Sequence, residues 1–548
     1  MEPSRILEKA SIVLFLGLAG GVLAYAGAAR PAPTALADPA IAAYAYAMPG
    51  QGWAPLTVYF SAYESHGPGG RLTRYEWDLD GDGAFETDAS ASGGYTSHTF
   101  IWAGRYTVTL RVSDEQGRFA TAGTVVQVRH PASSQVDYWS LFDDSRVDRI
   151  DLIVSGANWD RLWADPASKT EVEADAVIFG ERVRRIGLRM KGNASLAASG
   201  EKKSWVLDFN AFDERQKFHN LSALLLHNNF GDPSLLREKL GYDLMAFAGV
   251  PGGFTAFVEV WVDVAGDAAP ARYLGIYLLV ERPDRAYLAN RFGRRNDGGN
   301  LYKADAFFEQ GAADLAYYGD TIERYPRPRG RIAYRKMTNE EEADYADIIN
   351  LTTVIDGVDY ATPEEFAAAL EPVFNVDGFL RYMAVTWVTL NLDSYPYTGN
   401  NYYLYHDPGS GRFEWLAWDL NSSWGLFAGD AEFPLYGQAE SLGPLQRAPL
   451  FERVFEVERY RRTYRAYVDL LLRERLNGDA IAAETAAWQA LLEPYLGRDA
   501  GDRAYFGDGA LYPFEEFARD RERLVELTRA RHDFLRAALA AEAPGPEP

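Results

Sequence analysis

Asp393-Ser-Tyr-Pro-Tyr-Thr-Gly-Asn-Asn-Tyr-Tyr-Leu-Tyr-His-Asp-Pro-Gly-Ser-Gly-Arg-Phe-Glu-Trp-Leu-Ala-Trp-Asp419 is the stretch that decides how this chain is read. Tyr402 to Tyr405 and Phe413 to Trp418 are two aromatic-rich runs. Between them, Asp407-Pro-Gly-Ser-Gly411 is a cluster of turn formers, so the segment spells a β-hairpin. The turn lies far from Asn401 and Asp419, which flank the open end and are expected to face each other across adjacent strands. Asp393 enters the same neighbourhood from the preceding loop. Two carboxylates and an amide oxygen then converge, a hard-oxygen set of the kind Mg²⁺ takes when phosphates complete its shell. Singly, each residue reads as a turn former or strand-end cap; the three in this order read as a site. A buried helix over Phe379 to Leu392, with Leu380, Ala384, Trp387 and Val388 apolar, leads into the loop.

Four further pieces lie upstream. Ile186, Leu188 and Met190 alternate on a strand that runs into Lys191-Gly-Asn-Ala-Ser195, and Ser204-Trp-Val-Leu-Asp-Phe209 forms a second strand. A small-residue loop between two strands can fold over phosphates and offer backbone N–H donors, although any exposed hairpin looks much the same. Lys202 and Lys203 stand at the mouth of the second strand. A helix is predicted from Asp232 as N-cap, with Pro233 at its first position, an apolar stripe of Leu235, Leu236, Leu240, Leu244 and Phe247, and Gly249 and Pro251 at its end. Glu238 lies on it, either as a solvated charge or as the partner of a phosphate-binding lysine. Leu274-Gly-Ile-Tyr-Leu-Leu-Val-Glu281 is an apolar strand ending in a carboxylate, suited to a core strand or to a base-contacting edge. Lys303 follows a turn at Gly299-Asn300 and is a second candidate for contact with phosphate.

The chain has 548 residues, 47% hydrophobic and 14% aromatic, enough for a large core, and carries a net charge of −23. It has no Lys/Arg-rich block, so it lacks the footprint of a nucleic-acid binder. It has no cysteine, which excludes disulfides, thiolate metal sites and a cysteine nucleophile. Arg5 and Lys9 precede an uncharged apolar run from Ser11 to about Ala29, which reads as a signal peptide over residues 1–29, cleaved or retained as a membrane anchor. The expected location is therefore secreted, periplasmic or cell-surface, with membrane contact only through this segment. Residues 30–42, rich in Ala and Pro, read as a linker.

Residues 43–130 read as all-β. In Tyr106-Thr-Val-Thr-Leu-Arg-Val112, Tyr106, Val108, Leu110 and Val112 face one way, and short strands between Gly- and Asp-rich turns indicate a sandwich. Tyr75-Glu-Trp-Asp-Leu-Asp-Gly-Asp-Gly83, His98-Thr-Phe and Ala103-Gly-Arg-Tyr-Thr-Val-Thr-Leu-Arg-Val-Ser-Asp114 resemble a PKD domain. The resemblance implies a spacer, or a module contacting a cell-surface protein or carbohydrate. Asp78, Asp80 and Asp82 offer oxygens to Ca²⁺, but Ala89 stands at the twelfth position where a bidentate Glu belongs, so a turn built on Asp and Gly carries more weight.

From Asp137 to residue 540 the pattern is mixed α+β with a helical C-terminal part, followed by a disordered tail over 541–548. Arg189-Met-Lys-Gly-Asn-Ala-Ser, Asp232-Pro-Ser-Leu-Leu-Arg-Glu, Gly275-Ile-Tyr-Leu-Leu-Val-Glu, Asn300-Leu-Tyr-Lys, Asp393-Ser-Tyr, Asn401-Tyr-Tyr-Leu-Tyr and Trp418-Asp-Leu-Asn resemble the CotH (spore coat protein H) kinase family. The resemblance implies an atypical protein-kinase-like fold that transfers the γ-phosphate of ATP to Ser or Thr of a protein with Mg²⁺ or Mn²⁺. Carried over by position, Asp393 would orient or deprotonate the acceptor, and Asp419 and Asn401 would hold metal. Glu238 would be the helix glutamate, Glu281 the acid of the base-contacting strand, and Lys202, Lys203, Lys191 and Lys303 the candidates for phosphate. Two departures stand out: Lys191-Gly192 where Arg-Gly is usual, and Asn421 where a second Asp is usual. No hydrolase motif and no Walker-type loop occurs. The competing reading is a non-catalytic coat-assembly or polysaccharide-binding protein on a kinase-like scaffold.

Overall fold

The computed structural model describes residues 41–67, 71–130, 138–197, 202–266, 270–307, 310–437, 447–496 and 514–542. The signal-segment reading of residues 1–29, residues 30–40 of the linker reading and residues 543–548 of the tail reading lie outside the described residues. Ala42, read as linker, instead pairs with His66, and Ala541 and Glu542, read as tail, close the last helix.

Eight strands form the N-terminal sandwich: β1 (Tyr46–Met48), β2 (Gln51–Trp53), β3 (Leu56–Ser61), β4 (Arg74–Asp78), β5 (Thr87–Asp88), β6 (Thr96–Phe100), β7 (Gly104–Ser113) and β8 (Phe119–Arg129). They make a three-stranded sheet ordered β1-β3-β6 and a five-stranded sheet ordered β2-β8-β7-β4-β5. The alternation read in β7 is realised: Val108, Leu110 and Val112 are buried against Val58, Phe60 and Trp77, as a half-buried strand requires.

Seven strands then close into a barrel: β9 (Asp148–Ser155), β10 (Val172–Ile178), β11 (Glu181–Lys191), β12 (Ser204–Asp208), β13 (Ala223–His227), β14 (Thr255–Ala265) and β15 (Arg272–Glu281). Their order is β10-β11-β12-β13-β15-β14-β9, with β9 pairing β10 to close the ring and β14 parallel to β9. One set of alternate residues fills the barrel, including Leu152, Leu188, Trp205, Leu226, Val260 and Leu279. Each fully buried aliphatic side chain contributes roughly 1.5–3 kcal/mol. On β13 and β15, buried on both faces, Leu225, Leu278 and Val280 join a second, larger core outside the barrel.

That larger core belongs to the C-terminal half. Its sheet is ordered β19-β16-β20-β21, where β16 is Leu301–Ala304, β17 (Ala306–Phe307) and β18 (Gly311–Ala312) form a separate small ladder, β19 is Tyr334–Lys336, β20 Tyr402–Asp407 and β21 Arg412–Ala417. The helices are α1 (Gly156–Ala164), α2 (Ala194–Ala197), α3 (Arg237–Ala248), α4 (Arg285–Phe292), α5 (Ala346–Thr352), α6 (Pro363–Leu370), α7 (Val376–Val388), α8 (Pro449–Val454), α9 (Glu458–Glu474), α10 (Gly478–Leu496) and α11 (Phe514–Glu542).

Two helix readings shift. α7 begins earlier than Phe379, where the Asn375 side chain accepts the Gly378 N–H, and ends at Val388. α3 begins at Arg237, not after Asp232. The Asp232 carboxylate instead accepts from the Ser234 and Arg237 N–H groups and from the Arg237 guanidinium, and Leu235 has φ 60°, which breaks the helix path. Side-chain hydrogen bonding by Asp competes with helix here.

The sandwich is bound firmly to the helices. Glu64 is clasped by Arg465 (Nη2–Oε2 2.8 Å) and Arg462. The Tyr95 hydroxyl donates to Asp469 at 2.6 Å. Tyr46 and Met48 of β1 are part of the larger core, and the Tyr46 ring meets Tyr467 of α9 edge-on.

Candidate functional site

The hairpin is as the sequence spells it. β20 and β21 pair antiparallel, Tyr402 opposite Ala417 and Asp407 opposite Arg412. Asn401 and Asp419 flank the open end, both with φ 58°. Left-handed backbone is uncommon outside glycine, though Asn and Asp adopt it more readily than other residues. Asn401 Nδ2 donates to the Asp393 carbonyl at 2.8 Å and to its carboxylate at 3.1 Å. Burial, with Asp419 next in weight, pushes the Asp393 carboxyl up to about 6, against hydrogen bonds from Thr398 and Asn401. The Asp419 N–H is received by the Tyr242 hydroxyl at 3.2 Å, which ties Asp419 to α3.

A line of charge runs in from the barrel. Lys191, at the end of β11, places its ammonium against His227 Nε2. His227, at the end of β13, faces Glu238 through Nδ1 at 2.8 Å, and Glu238 sits in the first turn of α3. A neutral imidazole satisfies all three: Nδ1–H donates to the carboxylate, and Nε2 accepts from the ammonium. Burial holds His227 well below its ordinary value, with Lys191 beside it acting the same way. Burial likewise raises Glu238 to about 8, against the opposing pull of Lys191, and depresses Lys191. One oxygen or nitrogen each from His227, Glu238 and Asp419 lie within 4.8 Å of one another. Trp418 organises the group: its ring is edge-on to His227, 5.5 Å from Lys191 Nζ and 5.2 Å from Lys303 Nζ. Lys303 is pushed down to about 7 by burial and by Lys191.

The structure therefore brings Lys191, Glu238, Lys303 and Asp419 together, with Asp393 and Asn401 alongside. It places three other candidates elsewhere. Lys203 turns from the cluster to donate to the Leu196 carbonyl at 3.1 Å, 5.7 Å from the Trp163 ring. Lys202 lies 5.5 Å from the Tyr277 ring and is held down to about 7 by burial. Glu281, assigned to nucleotide contact, is instead a closed internal ion pair. It meets Arg291 at 2.6 and 3.0 Å, the Tyr138 hydroxyl at 2.5 Å and the Phe254 N–H at 3.1 Å. Its own N–H is committed to the Phe254 carbonyl, so neither its side chain nor its amide is available to a base.

His227 escaped the sequence reading. A single His closing the apolar run Ala223-Leu-Leu-Leu-His227 reads as a core residue, and only its partnership with Glu238, eleven positions on, reveals it. Asn421 acquires a reason: its Nδ2 donates to the Phe230 carbonyl at 2.9 Å, a bond a carboxylate there cannot make. In the sandwich, Asp78, Asp80 and Asp82 are joined by Glu86, their oxygens within 4.8 Å. Asp78 accepts the Gly81 and Gly83 N–H groups at 2.7 and 3.0 Å, and Glu86 accepts that of Leu79, which is how an Asp-rich turn holds itself.

A PKD-like sandwich followed by a mixed α+β domain with C-terminal helices defines a two-part chain of the kinase-like class. The chain belongs to the CotH kinase protein family, which matches residues 188–535; a PKD domain matches residues 39–128. It is 23% identical over 360 residues to the inner spore coat protein H of Bacillus subtilis (strain 168), covering 65% of this chain and 88% of that protein. Among solved structures, it is 30% identical to the PKD1 domain of Vibrio anguillarum Epp (17% of this chain, 99% of that one, TM-score 0.14). It is 25% identical to the PKD1 domain of the Vibrio cholerae metalloprotease PrtV (16% and 96%, TM-score 0.13). No helix among the described residues is long and apolar enough to cross a membrane.

Proposed function

We propose that the chain is an exported kinase that transfers the γ-phosphate of ATP to a Ser or Thr hydroxyl of a surface or secreted protein, with Mg²⁺ or Mn²⁺. The observation that carries this reading is the convergence on Trp418 of Lys191, Lys303, the His227–Glu238 pair and Asp419, with Asp393 hydrogen-bonded to Asn401 beside them. Two buried ammonium groups beside one ring, both held down by burial and Lys303 also by Lys191, are stabilised by an anion between them, and a triphosphate is such an anion. His227 and Glu238 hold Lys191 in place. Asp393, with a carboxyl raised to about 6, is ionised at neutral pH yet basic enough to take the acceptor's proton.

The donor set fits a divalent cation. Asp393 and Asp419 oppose each other in a half-buried setting, and their mutual repulsion is one cause of the raised Asp393. Asn401 directs its nitrogen to Asp393, which leaves its amide oxygen as an acceptor. Asp419 and Asn401 would hold the ion, which when bound would neutralise charge on the phosphate oxygens. The Asp78 loop is kept as a turn, because its carboxylates are already occupied by backbone N–H groups.

The relative named as an inner spore coat protein points to a coat or surface protein as acceptor, and the sandwich to contact with a cell-surface protein or carbohydrate. Labelled ATP with Mg²⁺ or Mn²⁺, supplied to the mature chain beside Asp393→Ala and Asp419→Ala, tests the reading. Transfer by wild type alone supports it. No transfer and no nucleotide binding leaves the assembly scaffold, and glycan retention that survives both substitutions favours the polysaccharide-binding reading.

A further inference from the structure

In a chain with net charge −23, basic groups gather at one place alongside the Trp418 cluster. Lys303 on β16 stands opposite Arg335 on β19 and opposite Tyr403 on β20. Directly opposed residues of antiparallel strands share a face, so Arg335 lies on the same side of the sheet as Lys303. Lys169, in the turn between α1 and β10, reaches Asn193 of the Lys191 loop with its ammonium at 3.1 Å. Arg331, exposed, precedes β19. Lys169 is depressed by burial and then by Arg189, Arg329, Arg331 and Arg335, all of its own sign.

The acids nearby serve other cations. Glu171 faces Arg189 at 3.8 Å, Asp208 faces Arg282 at 3.4 Å and Asp305 holds Arg329 at 2.7 Å. Among the described residues, Lys169, Arg331 and Arg335 have no carboxylate partner within ion-pair distance. Cations crowded together without a counter-charge repel one another, and a ligand of opposite sign relieves that cost. The rim continues outward from Lys303 through Arg335 to Lys169 and Arg331, past the residues assigned to phosphate.

We propose that Lys169, Arg331 and Arg335 form the docking rim for an acidic acceptor segment, whose carboxylate or phosphate groups flank the hydroxyl to be phosphorylated. Naming the ligand an acceptor rests on the kinase reading; the preference for a polyanionic peptide rests on the rim alone. The acidic groups lie on the rim while the hydroxyl reaches inward towards Asp393.

Three labelled serine peptides separate the outcomes: one flanked by Glu, one by phosphoserine and one by Lys. Fluorescence anisotropy without nucleotide reads the rim, and γ-phosphate transfer reads the site. The expected result is tighter binding and lower KM for the acidic peptides, weakening as salt rises. Whichever of the Glu- and phosphoserine-flanked peptides binds more tightly identifies the anionic group. Arg331→Glu with Arg335→Glu is expected to raise KM for the acidic peptide by about tenfold or more, with KM for ATP unmoved. Lys169→Gln, which removes charge at a half-buried surface turn, is expected to give a smaller rise in the same direction. Acidic-peptide binding without transfer to any peptide keeps the rim and sinks the kinase reading. Equal or better binding of the Lys-flanked peptide overturns the rim. So does a rise in KM for ATP with that for peptide unchanged, since the arginines would then serve the nucleotide.

Discussion

Two sets of buried charge lie on neighbouring parts of this fold and behave in opposite ways. Glu281 with Arg291 is a finished set: a bidentate pair, fully buried, with a tyrosine hydroxyl and a backbone N–H filling the remaining oxygen positions. Lys191, His227, Glu238, Lys303 and Asp419 form an unfinished set, in which two ammonium groups share one aromatic ring and burial and like charge push their pKa values down. A buried pair that satisfies itself stabilises its surroundings and leaves nothing for a ligand. A buried group that does not is a candidate for binding and chemistry. The distinction is in the partners, because the residue types are nearly the same.

The comparison is most easily broken at its active end. Asp419→Asn keeps size and is expected to lower phosphate transfer by on the order of 10²–10³-fold with the thermal transition little changed; measured transfer near wild type would place Asp419 in the structural class. Next comes the closed pair. Arg291→Met strands Glu281 in the core and is expected to destabilise by about 3–5 kcal/mol, read by urea unfolding, while KM for ATP in the folded fraction stays put. His227→Phe removes the bridge between Lys191 and Glu238 and is expected to raise KM for ATP by about tenfold, with a smaller change in kcat; equal loss of both would mean His227 merely supports the fold.

The smallest effect concerns Glu414, a buried acid whose hydrogen-bond partner is the Asn375 amide at 2.6 Å. Burial raises it to about 7. Its folded pKa lies above the ordinary carboxylate range, so the native state binds the extra proton, and stability declines as pH rises from about 4.3 towards 7. Glu414→Gln is therefore expected to add on the order of 1 kcal/mol of stability above pH 7, read as a higher melting temperature, and to leave it unchanged near pH 4. Equal shifts at both pH values would remove ionisation as the cause.

Local pattern carried the hairpin, the strand ending at Glu281 and the sandwich alternation, because turn chemistry and period-two burial are encoded within a few residues. It carried the juxtaposition of Asn401 with Asp393 for the same reason: eight residues and a turn separate them. It could not resolve Lys191, Lys202 and Lys203, which differ by where a loop turns each side chain. His227 was hidden because a lone histidine after Leu-Leu-Leu looks like core until α3 is seen to deliver Glu238 to it. The start of α3 was misplaced because Asp232 and Pro233 carry the same signal whether a helix or a capped turn follows, and the Arg237 guanidinium settles it through Asp232 and Asp520, the latter from α11. Glu281 was misread because the partner that closes it, Arg291, lies on the following helix and sends no local signal.

The clasp of Glu64 by Arg462 and Arg465, with Tyr95 on Asp469, makes the N-terminal module a bracket and not a tether. Under the proposed function, a surface held by the bracket would keep the Asp393–Asp419 site at one angle and one reach from it. Hydroxyls within that fixed arc would then be presented again and again and those beyond it never met, so that on this reading the choice of target follows partly from where the chain is mounted.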